Sequence, residues 1–300
     1  MPTALTETLE HRYGIADAVS FRDSPLGGPI VRLEHRGASA EIALQGAQVL
    51  GWMPAGKAPV LWLSPTERLG TAKPVRGGIP VCWPWFAAHP DDPAKPAHGF
   101  MRTRLWDVVT TFASGGRARV TLRTATAPDD ARLWPHDAEA ALEVSLATGL
   151  HVALTTRNTG ASAFRFTQAL HTYFAVRDIA RVRVDGFDDL AYLDKLDGHA
   201  RKHWHGPIRF EGEVDRVYIG HTGAAEIRDE AAERTIRIEK SGSASSVVWN
   251  PWIEKCNRLG DMGPEGYRTM VCVETANAGD DVVTLAPGAT HTLAASLSVA

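Results

Sequence analysis

ALEVSL at residues 141–146, followed across a short turn by HVALTT at residues 151–156, alternates apolar and polar side chains with a period of two. Leu142, Val144 and Leu146 fall on one face, and Glu143 and Ser145 on the other. Val152 and Leu154 repeat the pattern in the next segment. A period of two is the signature of a half-buried strand, because successive side chains point to opposite faces of a sheet. Working outward, the same alternation returns in RVRV (Val182, Val184), TIRIE (Ile236, Ile238) and TLAASLSV (Leu293, Leu297, Val299). Turn clusters separate these runs: Ser114-Gly115-Gly116, Asn158-Thr159-Gly160 and Pro287-Gly288. Helical periodicity is scarce. Thr3 to Tyr13 can form one short helix, and Asp229 to Glu233 no more than a turn. Many short antiparallel strands without intervening helices predict an all-β chain, built as one large sandwich of packed sheets.

Size and composition agree with that prediction. The chain has 300 residues, the upper end of what one core serves, with 44% hydrophobic and 22% charged residues. This excludes a disordered or fibrous chain. No linker-like stretch and no internal repeat divides it, so residues 1–300 are expected to form a single domain, with 1–30 as an N-terminal extension packed on the sandwich. The balance of 32 Lys+Arg against 35 Asp+Glu gives a net charge of −3. Such a chain has no cationic excess for nucleic acid or an anionic membrane surface, and neither partner is expected. Cys82, Cys256 and Cys272 are odd in number and form no CxxC pair, which argues against a disulfide framework or a zinc ribbon. Without a basic-then-apolar leader or a run of about 20 apolar residues, a cytoplasmic location is expected. No apolar heptad is present, so a monomer is expected.

Two stretches break the strand rhythm and attract a functional reading. Residues 73–106 (KPVRGGIPVCWPWFAAHPDDPAKPAHGFMRTRLW) and 247–277 (VVWNPWIEKCNRLGDMGPEGYRTMVCVETAN) are long, rich in aromatics and punctuated by Pro and Gly. His171, in QALHTYFAV, closes an apolar run. Taken alone, such a His is more often a satisfied core residue than a catalyst. In MVCVETAN, alternation puts Val271 and Val273 on one face and Cys272 and Glu274 on the other. Burial beside apolar groups would raise the pKa of Glu274 and suit it to acid–base work. Arg76, before Gly77-Gly78, and Arg102, after His98-Gly99, could form a bidentate anion clamp or remain surface arginines. No phosphate-binding glycine loop and no GxSxG is present. His203 and His205 share a strand face but lack a third metal ligand nearby, so surface histidines are the simpler reading.

VRGGIPVCWPWF, PAHGFMRTRLW, LHTYFAV, EVDRVY and NPWIEK…MVCVETAN, in that order, closely resemble the motifs of the glucose-6-phosphate 1-epimerases, the hexose-6-phosphate mutarotases of the wider aldose 1-epimerase family. The resemblance extends from about Val31 to the C-terminus. It implies a galactose-mutarotase-like β-supersandwich and a reaction without metal or cofactor that interconverts the α and β anomers of a hexose 6-phosphate. By this resemblance His171 and Glu274 are the catalytic pair, while Arg76, His98, Arg102 and Asp215 bind substrate. Trp83, Trp85 or Trp249 could pack on the sugar. Some relatives carry a polar residue where this chain has Ala97, so a contact there would have to come from the backbone. Two other classes remain open: a glycoside hydrolase or lyase using Asp215 and Glu274, and a non-catalytic sugar-phosphate binding protein.

Overall fold

The computed structural model describes residues 3–70 and 73–300. Helix α1 (Ala4–Tyr13) begins where the Thr3 hydroxyl accepts a hydrogen bond from the Thr6 amide, and it ends at Gly14. Met1 and Pro2 of the expected N-terminal extension lie outside the described residues. The remainder of that segment supplies α1 and the edge strand Val19–Asp23 of a four-stranded antiparallel sheet, continued by Pro29–His35, Ala38–Ala43 and Val49–Met53.

Two eight-stranded sheets dominate. The first, the scaffold sheet, runs Val182–Asp185, Ala225–Asp229, Arg234–Ser241, Thr290–Val299, Leu150–Asn158, Ala138–Leu146, Arg117–Ala125 and Asp107–Ser114. The stretches read as alternating from sequence pair here as neighbours, Leu142 opposite Leu154 and Val144 opposite Val152. The second, the site sheet, runs Ala200–Trp204, Leu190–Asp194, Val214–Ile219, Ser245–Asn250, Met270–Asn277, Gln168–Leu170 and Val81–Cys82, with Tyr173–Ala175 also paired to Met270–Asn277. The all-β prediction and the helix at the N-terminus both hold.

Alternation divides the site sheet into two faces. Leu170, Phe174, Val248, Val271 and Val273 point into the main core, shared with Leu142, Val144 and Leu154 of the scaffold sheet. Ala169, Tyr173, Val217, Val247, Trp249 and Cys272 lie on the opposite face, in a second buried cluster. That second face carries the site. Loops from residues 73–106 cover it from one side. From the other, residues 247–277 contribute two strands joined by α2 (Trp252–Leu259) and a turn, where the sequence suggested mainly loop.

Candidate active site

The site is built on the Met270–Asn277 strand. Gln168–Leu170 and Tyr173–Ala175 pair with it on either side of a two-residue break, with Leu170 opposite Thr275 and Tyr173 opposite Cys272. The register is unchanged across the break, which sets His171 directly across from Glu274. The break itself is held: the His171 amide donates to Pro80 O at 3.0 Å and the Thr172 amide to Leu170 O at 2.9 Å. Strand register therefore brings together two residues 103 positions apart. His171 Nε2 lies 3.4 Å from Glu274 Oε1. Both side chains are buried, with Glu274 only 1% exposed, yet both line a cavity of about 550 Å³.

Ring contacts fix the imidazole. His171 stacks on Tyr173 at 4.8 Å with 12° between the planes, and meets the edges of His98 at 5.4 Å and Trp249 at 5.9 Å. His171 Nδ1 and Glu274 Oε2 have no hydrogen-bond partner in the protein. Burial pushes the Glu274 carboxyl well above its ordinary range; nearby Lys195 opposes this and Asp215 adds to it. Burial likewise holds His171 well below an ordinary imidazole, helped by His98, Arg76 and Arg102. Burial thus favours a neutral ring and a protonated carboxyl.

All six residues singled out from sequence line this one cavity: Arg76, His98, Arg102, His171, Asp215 and Glu274. Arg76 is anchored on both sides, by Nε and Nη2 to the Asp261 carboxylate (2.8–3.2 Å) and by Nη1 to the Tyr173 hydroxyl at 3.1 Å. Arg102 Nη2 donates to Ala97 O at 2.6 Å, while its buried Nε has no partner. Ala97 therefore acts through its backbone, by holding the arginine. His98 Nδ1 accepts from the Ala87 amide at 3.3 Å, which leaves Nε2 to carry the ring proton. Burial, with Arg102, Lys195 and Arg76 nearby, pushes His98 down to about 3, so it is a neutral donor at physiological pH.

Asp215 enters from the Val214–Ile219 strand with both oxygens engaged, Oδ1 by Lys195 Nζ at 3.0 Å and Oδ2 by Lys255 Nζ at 3.4 Å. That pairing suits a hydroxyl acceptor in a fixed frame better than the mobile acid of a glycosidase. Lys195, Lys255, Tyr173 and Asp261 escaped the sequence reading. Lys255 sits on α2 and Asp261 just beyond it, so the missed helix accounts for both. Of the tryptophans, only Trp249 lines the cavity; Trp83 and Trp85 are buried away from it. His203 and His205 are exposed, far from a metal cage. Among the described residues, the only cluster of three or more potential metal ligands is His171, Cys272 and Glu274. No helix among the described residues is long and apolar enough to cross a membrane.

The architecture recurs in solved structures. A galactose mutarotase-like protein from Clostridium acetobutylicum superposes with a TM-score of 0.71 at 14% identity, over 94% of this chain and 98% of that one. The fold is thus of the galactose mutarotase-like class. The family model for aldose 1-epimerase matches residues 29–298, and the chain belongs to that family. A provisionally named mutarotase (YeaD) from Salmonella typhimurium superposes with a TM-score of 0.88 at 30% identity, over 96% of this chain and 95% of that one. Provisionally named glucose-6-phosphate 1-epimerases are 37% identical in Cenchrus ciliaris (84% of this chain, 79% of the relative) and 35% identical in Escherichia coli K12 (84% of each).

Proposed function

We propose that this chain interconverts the α and β anomers of hexose 6-phosphates, glucose 6-phosphate first among them, by acid–base ring opening and reclosure. The observation that carries the reading is the His171–Glu274 contact on the floor of a cavity whose lining includes Lys73, Arg76, Arg102, Lys195 and Lys255. A buried acid–base pair suits a sugar's anomeric centre, and cations in the lining suit a phosphate ester. The names of the relatives point the same way.

The resting pair holds one proton. Transfer of that proton from Glu274 to His171 across the 3.4 Å contact creates a carboxylate and an imidazolium without changing net charge. Lys195 favours this arrangement by stabilising the carboxylate. Glu274 then takes the proton of the anomeric hydroxyl while His171 protonates the ring oxygen. The C1–O5 bond breaks, C1 becomes an aldehyde, and rotation about C1–C2 exposes its other face. Closure reverses both proton transfers. General acid–base help of this kind supplies about 10²–10⁴-fold, and positioning adds to it. His98 and Asp215 hold sugar hydroxyls, Arg76 and Arg102 hold the 6-phosphate, and Trp249 packs on the sugar. The whole chain acts as one domain. A cytoplasmic location fits a phosphorylated substrate.

Magnetisation-transfer NMR on glucose 6-phosphate tests the proposal, with unphosphorylated glucose as control. The expected result is fast anomer exchange on the ester, reduced by about 10²-fold or more in both His171→Asn and Glu274→Gln. Folded wild-type protein that binds the ester without exchanging its anomers would mark a non-catalytic binding protein instead.

A further inference from the structure

We propose that His171, Cys272 and Glu274 form a site for a thiophilic divalent cation, Zn²⁺ in the first instance, whose occupancy switches off acid–base chemistry in the pocket. The strand geometry leads to this grouping. Cys272 and Glu274 lie two residues apart on one face of Met270–Asn277, and His171 sits across from Glu274 on the neighbouring chain. One ligand atom from each lies within 4.8 Å of the other two. The donor set, one imidazole nitrogen, one sulfur and one carboxylate oxygen, suits zinc, and the sulfur discriminates against magnesium and calcium.

Three further features fit a cation. Glu274 Oε2 and His171 Nδ1 are buried without partners, so neither side chain is committed to the protein at both of its polar atoms. Cys272 is free and fully buried beside the pair. In their neutral forms the Cys272 thiol and the Glu274 carboxyl each hold one proton. A divalent cation that displaces both protons to solvent leaves metal, thiolate, carboxylate and neutral imidazole at zero net charge. Charge neutrality is the condition a buried site imposes. The cavity gives entry, because His171 and Glu274 line it. The metal and the sugar would then compete for the same two side chains.

The test uses the full chain freed of metal, with zinc added as the buffered ion. Anomer exchange is expected to fall with zinc, to recover as glucose 6-phosphate is raised, and to be indifferent to magnesium. Cys272→Ala should leave exchange without zinc close to wild type and raise the half-inhibitory zinc concentration by about tenfold or more. Independently of any activity, Co²⁺ bound to the wild type should give a near-ultraviolet thiolate-to-metal absorption band that Cys272→Ala lacks. Inhibition unaltered in Cys272→Ala, or a cobalt complex without the thiolate band, would overturn the proposal. So would loss of zinc inhibition in His203→Ala/His205→Ala, which would move the effect to the exposed strand. The cobalt spectrum also separates failure of this site from failure of the mutarotase reading.

Discussion

Lys195 reaches the cavity from the turn after Leu190–Asp194 and closes on Asp215 Oδ1 at 3.0 Å, with its ammonium 5.8 Å from the centre of the Phe86 ring. It is the cation that opposes the upward push of burial on Glu274. Lys195→Met therefore destabilises the carboxylate and raises the Glu274 pKa further. Because the ionised pair forms by an internal transfer that leaves the proton count unchanged, kcat should fall by a similar factor at every pH. Lys195→Arg should keep a kcat close to wild type. A lysine that served only to hold Asp215 would raise KM and leave kcat near wild type, since Lys255 still grips the other oxygen. Single residues also show the limit of sequence reading. His171 and Glu274 stand in recognisable motifs, whereas Lys195 sits in LDKLDG with nothing local to distinguish it from a solvated lysine. Its partner is twenty residues away, on the strand Val214–Ile219 that pairs directly with Leu190–Asp194.

At the scale of elements, the site depends on a loop that passes very close to another backbone. Gly99, between His98 and the turn Met101–Thr103, has φ of +73°, and a Cβ there would lie 1.9 Å from Trp83 O. An L side chain meets both the left-handed backbone penalty and a clash with a main-chain atom that cannot move aside. Gly99→Ala should cost at least about 1–3 kcal/mol, read as a lower urea midpoint. Exchange activity should fall with it, because His98 and Arg102 flank the same turn. Wild-type stability in this variant would refute the close-approach argument. The strands of the scaffold sheet were legible because each buries one face against a core and exposes the other. Helix α2 was not. It is only two turns long, follows Pro251, and buries Cys256 alone, so its pattern is too short to stand out from loop. The site-sheet strand Met270–Asn277 is buried along its whole length and gives no polar face to read. It was marked by the alternation of Val271 and Val273 with Cys272 and Glu274, and by the carboxylate itself.

At the scale of the molecule, the same burial that sets up the site makes stability depend on pH. His171, His98 and His221 are all held below the unfolded value of about 6.5, His98 at about 3 and His221 at about 4. Burial is the leading cause for each. Lys240 adds to it at His221, whose Nδ1 lies 2.8 Å from the Ser246 hydroxyl in a separate buried network. As pH falls through about 6.5, the unfolded chain gains protons on these imidazoles and the folded chain does not, so the folded state loses stability. Glu274 acts in the opposite sense. Its folded pKa lies above the unfolded one, so between those values the folded chain binds the extra proton and gains stability on acidification. Burial lowers His136 and His291 too and raises Glu67, so five imidazoles against two carboxyls leave a net loss between about pH 7 and pH 5, at up to about 1.4 kcal/mol per pH unit for each net proton. Urea unfolding across that range should show a midpoint that drops with pH. His221→Asn, remote from the cavity, should make the slope shallower without altering the pH profile of anomer exchange. A midpoint that is flat or rises on acidification would mean that these imidazoles are already protonated in the folded protein. The neutral His171–Glu274 pair from which the mechanism starts would then fail with them.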